Sequence, residues 1–407
     1  MEDARGTVEA VARASYGRLL AYLSSETRDV AGAEDALGDA LVAALTSWPQ
    51  DGVPQQPESW LLTVARHRLI DQARRRKVRD EHEGALRRLT DESRATEAVE
   101  GDRFPDRRAE LLFVCAHPAI ERALHAPLML QTVLGVDAAR IAQAFLVPPA
   151  TMGQRLVRAK RKIREAGIPF EVPPEDELPQ RLDAVLEAVY AAYDLGRDDA
   201  AGIDPRGQGL ADEALWLARV VRERFPEEPE IHGLLALMLF CEARRAARRT
   251  SDGRFVPLSE QDPVAWSRSA IREAEAELGA AARMGRIGRF QLEAAIQSVH
   301  VDRAQTGHTD WAAIVDFYEH LVRLAPTLGA RVAQAAAVAE AQGAAAGLAL
   351  LDTIDRAAVT AYQPFWAVCA HLLRQAGDAS GAWEAYDRAI GLTEDPATRR
   401  FLLERRG

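Results

Sequence analysis

Cysteine is scarce in this 407-residue chain: Cys115, Cys241 and Cys369 stand far apart, with no Cys-x-x-Cys pair and no Cys/His spacing of a zinc site. That argues against a disulfide framework and against a structural metal, and it fits a reducing cytoplasm. Cys115 and His117 lie two residues apart, but two ligands do not make a site, and both read as packed helix residues. Aromatics make up only 6% of the chain and alternating apolar–polar strand patterns are missing, which disfavours a sheet protein. No stretch of eighteen apolar residues occurs and the N-terminus has no apolar run of a secretory leader, so neither a membrane span nor export is expected. A nucleophile–base grouping, a P-loop and a Gly-rich strand–turn–helix are all absent, and the histidines do not cluster. An enzyme is therefore the least favoured class, and no cofactor is expected.

What the chain has in abundance is Ala, Leu, Arg and Glu, with a hydrophobic fraction of 48% that suffices for real cores. These are helix formers, and the expected class is all-α, in two to four domains. The net charge of −10 is unevenly placed. Residues 1–170 carry 25 Lys and Arg against 24 Asp and Glu, and the remainder carries 26 against 37. The first part can approach nucleic acid through local patches, whereas the second should be repelled by it.

The most informative stretch runs from Asp137 to Arg164. A short amphipathic segment with Ile141 and Phe145 ends at Pro148-Pro149, and a second helical segment carries Arg155, Arg158, Lys160, Arg161, Lys162 and Arg164 before the first acid, Glu165. Met152, Leu156 and Ile163 share one side of that helix, and Thr151, Arg155, Arg158 and Lys162 share another. Helix, tight break and basic helix is the layout of a helix-turn-helix whose second helix lies in the DNA major groove. Thr151, Gln154, Arg155 and Arg158 are then candidates for base edges, and Lys160, Arg161 and Lys162 for phosphates. A merely solvated basic helix is the alternative.

Two earlier helices add to this. One runs from about Val30 to Trp48, with Leu37, Leu41 and Leu45 at steps of four beside Glu34, Asp35 and Asp39. Alone it is an ordinary amphipathic helix with acids where its dipole favours them. A breaker-rich loop, Pro49 to Pro57, leads into the next helix, which runs to about Arg79 and holds seven cations between Arg66 and Arg79. Basic residues near a helix C-terminus complement the dipole, but seven exceed that need and favour phosphate contact. Residues 178–407 read as a long series of helix pairs. The segment Gly377 to Ala389 is similar to the second half of a tetratricopeptide repeat, though no clean period covers the region.

Together these segments resemble the extracytoplasmic-function sigma factors of bacterial RNA polymerase. Ala33-Glu34-Asp35 resembles region 2.2, which holds the polymerase clamp helices. Trp60 to Arg76 resembles regions 2.3 and 2.4, which open and read the minus-ten element. Residues 108–167 resemble region 4, whose helix-turn-helix reads the minus-thirty-five element. The long C-terminal extension resembles that of the subgroup with a TPR-like domain. Two positions depart from the common pattern: His67 stands where many members have Asn, and Gly38 where many have a polar residue.

The resemblance implies a region 2 domain over residues 1–79, a linker over 80–107, a region 4 domain over 108–170 and a TPR-like regulatory domain over 171–407. Glu34, Asp35, Leu37, Asp39 and Leu41 would bind core RNA polymerase. Trp60, Arg66, His67, Asp71, Arg74 and Arg75 would contact the minus-ten element of promoter DNA, with Trp60 either stacking on an unpaired base or packing in the core. The C-terminal domain would meet an unidentified protein or signal and replace a separate membrane-bound anti-sigma factor. Two rival readings are a DNA-binding regulator that never acts as a sigma subunit and a pure helical scaffold.

Overall fold

The computed structural model describes residues 2–77, 106–145, 147–168, 170–171, 173–174, 177–199, 209–393 and 395–407. The expected linker, 80–107, lies outside the described residues except for its last two. Among the described residues the secondary structure is helical, apart from one isolated antiparallel bridge between Arg249 and Phe255.

The described residues form two compact units. The first comprises residues 1–197 with 206–217, and the second comprises 198–205 with 218–407. The first unit extends beyond residue 170 and takes in most of the helix Leu178–Asp199.

In the first unit, α1 (Glu2–Thr27), α2 (Val30–Asp51) and α3 (Pro57–Lys77) pack on one another. Arg28, at φ 56°, turns the chain between α1 and α2. Asp29 then caps α2 by accepting from the Gly32 amide at 2.9 Å, an N-cap contact worth roughly 1 kcal/mol. Gly52, at φ 89°, closes α2 through its amide to the Trp48 carbonyl, a conformation that needs no Cβ. Leu19, Leu20, Leu23, Leu37, Trp48, Leu61 and Ala65 fill the space between the three helices.

Four shorter helices follow: α4 (Arg108–Cys115), α5 (His125–Thr132), α6 (Ala138–Ala144) and α7 (Pro149–Glu165). Their core holds Leu111, Phe113, Leu128, Met129, Ile141, Met152 and Leu156. The two bundles touch within the first unit, α1 against α4 and α2 against α7. At Gly17 the approach is close: a Cβ there would lie 1.7 Å from the Val133 carbonyl oxygen.

Most of α8 (Leu178–Asp199) and the first half of α9 (Leu210–Arg224) belong to the first unit. In the second unit, consecutive helices pack on their neighbours: α10 (Pro229–Ala243), α11 (Arg268–Arg283), α12 (Arg289–Thr306), α13 (Trp311–Leu324) and α14 (Leu328–Gln342). The helices α15 (Ala344–Leu351), α16 (Arg356–Val359), α17 (Gln363–Gln375), α18 (Ala379–Leu392) and α19 (Pro396–Arg406) complete the unit. Polar groups fix particular joints. The Glu230 carboxylate of α10 accepts the Phe290 and Gln291 amides at the start of α12, at 2.8 and 3.1 Å, where the helix dipole favours an anion. Inside the α10–α11 contact, His232 Nδ1 lies 2.5 Å from Glu277, and its Nε2 lies 2.9 Å from the Pro226 carbonyl oxygen. All three cysteines are free and buried. Burial pushes the Cys115 thiol up to about 12, which suits a packing residue.

Candidate nucleic-acid interface

Helix α7 is built by its ends and by one apolar stripe. Pro149 occupies its first turn, where the fixed φ suits a helix and the missing N–H loses nothing. The preceding α6 is capped by Asp137, which accepts from Ala139 and Arg140 at 2.9 and 3.0 Å. The Val147 amide donates to the Ala142 carbonyl at 2.8 Å and so sets the break between the helices. Met152, Leu156, Ala159 and Ile163 are buried, on the side of α7 that packs against α5 and α6. Gln154, Arg155, Arg158, Arg161, Lys162 and Arg164 are exposed, and Thr151 is half-buried. Arg161 faces Glu165 at 3.6 Å, while Arg155, Arg158, Lys162 and Arg164 have no carboxylate partner among the described residues. An open cationic row backed by an apolar stripe can lie along a polyanion without unfolding anything.

Lys160 departs from the expected phosphate contact. It is buried, and its Nζ donates to both carboxylate oxygens of Glu34 on α2 at 2.6 Å. Glu34 also accepts from the Tyr16 hydroxyl at 3.3 Å. Burial, and then Glu34, hold the Tyr16 phenol well above its ordinary pKa. Lys160 and Glu34, expected to serve DNA and polymerase respectively, therefore occupy each other here. The signal was present in the spacing: Lys160 follows Leu156 by four and precedes Ile163 by three, which puts it beside the packed stripe.

Arg66 is a second departure. It was expected at DNA, but its guanidinium donates to Glu26 on α1, with Nε–Oε2 at 3.1 Å, and to the Tyr22 hydroxyl at 2.9 Å. It lies over the Tyr22 ring at 5.3 Å. Burial works against its charge, and the bonds and attraction of Glu26 outweigh that and raise its pKa. The residue ties α3 to α1. It follows Leu62 by four, on the packed side, and this spacing also foretold it.

Elsewhere on α3, His67, Arg68, Asp71 and Arg74 are exposed, whereas the Arg75 side chain lies outside what the structure describes. Trp60 is half-buried and meets the edge of the buried Trp48 with ring centroids 5.5 Å apart, a packing contact. On α2, Leu37 is fully buried in the three-helix core and so presents nothing to a partner. Asp35 and Asp39 are exposed and Leu41 is half-buried. The apolar residues that α2 shows to solvent are Val42, at 63%, and Leu45, at 42%. Leu37 and Leu45 stand on one ladder of four-residue steps, but each step overshoots a full turn by about 40°, so Leu37 faces inward and Leu45 outward.

The sigma-70 region 2 family matches residues 11–79, and a family of unknown function, DUF6596, matches residues 181–282. An uncharacterized protein of Rhizobium meliloti (strain 1021) is 36% identical over 391 residues, covering 95% of this chain and 91% of that protein. No solved structure matches the chain. The chain belongs to one family with the Rhizobium meliloti protein and, through its region 2, to the sigma-70 family of sigma factors. Its role is therefore in transcription initiation, with core RNA polymerase and promoter DNA as partners, and its family is not one of enzymes. Among the described residues no helix is long and apolar enough to cross a membrane.

Proposed function

We propose that the chain is a sigma factor of the extracytoplasmic-function type whose activity is governed by its own C-terminal helical unit. It engages core polymerase through the outer face of α2, where Asp35, Asp39, Val42 and Leu45 stand together. The exposed residues of α3, His67, Arg68 and Arg74, face the minus-ten element. Helix α7 enters the major groove of the minus-thirty-five element as the second helix of a helix-turn-helix, with Gln154, Arg155 and Arg158 toward base edges and Arg161 and Lys162 toward phosphates. The observation that carries this reading is the row of unneutralised cations on α7, in the same compact unit as a region 2 bundle. A regulator without sigma activity has no use for region 2, and a scaffold has no use for either feature.

Residues 171–407 carry 26 Lys and Arg against 37 Asp and Glu, a balance suited to a partner or ligand rather than to DNA. Its consecutive packed helices support a TPR-like arrangement.

The experiment is transcription from a random promoter library by core polymerase with the purified chain. Enrichment of two spaced motifs supports the proposal, and absence of chain-dependent transcripts overturns it. A chain lacking residues 218–407 should give altered output if that unit governs activity.

A further inference from the structure

Arg244 ends the α10 region of the second unit and is only 7% exposed. Its Nη2 donates to the Gln297 amide oxygen and lies 3.9 Å from the Cys241 sulfur. Its Nη1 is buried and has no hydrogen-bond partner. No carboxylate faces it among the described residues. A guanidinium withdrawn from water normally finds a counter-charge, because an unpaired buried charge is heavily penalised.

Its surroundings make the shortage worse. Arg303 on α12 donates to the Leu258, Ser259 and Gln261 carbonyl oxygens at 3.0, 3.0 and 2.8 Å, all of them neutral. Burial and then Arg244 lower the Arg303 pKa. Burial, with Arg244 and Arg303, pushes His300 down to about 4, so that imidazole is neutral and adds no compensation. The nearby acids are engaged elsewhere: Glu242 pairs with Arg245 at 2.8 Å, and Asp262 caps the Val264 amide at 2.9 Å.

A second orphan donor stands close by. The Ser267 amide donates to the Ala243 carbonyl at 2.8 Å, which brings the sequence neighbours Trp266 and Arg244 to the same junction. Trp266 is 4% exposed and its buried Nε1–H has no acceptor. Arg303 lies over its ring at 5.2 Å. Two cations, an unused guanidinium N–H and an unused indole N–H therefore belong to one junction of the unit.

We propose that Arg244, Arg303 and Trp266 form a binding site for a small molecule bearing an oxyanion, a phosphate or a carboxylate. The oxyanion accepts from Arg244 Nη1 and Trp266 Nε1 and supplies the negative charge that both arginines lack. Small size follows from burial of the donors, since a nucleic-acid backbone cannot reach a residue this enclosed. The site goes beyond the sigma-factor reading and stands or falls separately from it.

The test titrates the full chain with inorganic phosphate and, separately, with acetate, against chloride at equal ionic strength. Binding is read from the Trp266 indole N–H resonance, which is identified by its loss in Trp266→Phe, and from the melting temperature. Binding is expected to weaken about tenfold or more in Arg244→Gln and in Arg303→Gln, the loss of one charge-assisted bond. Trp266→Phe keeps the ring and removes only the N–H, so it tests the site even if Arg244→Gln fails to fold. A larger response to phosphate assigns a phosphorylated ligand, and a larger response to acetate assigns a carboxylate. A melting shift unchanged in the variants means an adventitious ion only, and no response to either anion means no site; both results overturn the proposal.

Discussion

Arg66 in the first unit and Arg244 in the second are both withdrawn from water, yet they are treated in opposite ways. Arg66 meets the Glu26 carboxylate and the Tyr22 hydroxyl, whereas Arg244 meets an amide oxygen and a thiol and leaves one N–H unused. A buried cation with its counter-charge beside it serves the fold. One without it is the site proposed above for an anion. The row on α7 is a third case, in which the cations stay in water.

The sharpest way to break this comparison is to remove Arg66. Arg66→Ala leaves Glu26 buried and unpaired, and the first unit should lose about 3–5 kcal/mol in urea unfolding. A loss within about 0.5 kcal/mol would put Arg66 with the exposed cations instead. The same contrast extends to the leucines of α2. Leu37→Ala should cost roughly 2–5 kcal/mol of stability, while Leu45→Ala should cost under about 0.5 and instead weaken capture of core polymerase in a pull-down titration.

The uncompensated side of the comparison has a pH signature. His300 is held neutral by burial beside Arg244 and Arg303, with its pKa lowered from 6.5 to about 4. The unfolded chain takes up this proton first as pH falls. The contribution of His300 is therefore fully present above about 6.5 and is lost progressively down to about 4. Melting temperature against pH should show this decline, and His300→Gln should flatten it. Glu34 and Lys160 form a half-buried pair, and Lys160→Ala should cost about 1 kcal/mol. It should also speed hydrogen exchange where α7 meets α2. Smallest for the fold is Lys162→Ala, within about 0.5 kcal/mol of the parent. It should nevertheless reduce the slope of log affinity against log salt for duplex DNA by about one.

Much of the architecture was legible in the sequence. Helix ends at Asp29, Asp137 and Pro149 and the apolar stripe of α7 follow from local chemistry that neighbours do not override. The all-helical class follows from the same patterns. Tertiary pairing is what local sequence does not show. Nothing in the local sequence says that Arg66 will find Glu26, forty positions earlier, or that Lys160 will find Glu34, 126 positions earlier. Charge alone put both among the DNA contacts, although their spacing from Leu62 and Leu156 already turned them toward packed surfaces. The outward turn of Val42 is hidden in the sequence because the leucine ladder beside it carries the stronger apolar pattern. The unmet donors of Arg244 and Trp266 were invisible, since an orphan is defined by what surrounds it.

The clasp between Glu34 and Lys160 couples three helices. One carboxylate steadies both the Tyr16 hydroxyl and the Lys160 ammonium, so whatever draws it away frees two side chains in one stroke. On the proposed reading, a polymerase surface seated on α2 that competes for that acid would loosen the seam with α7 in the same event.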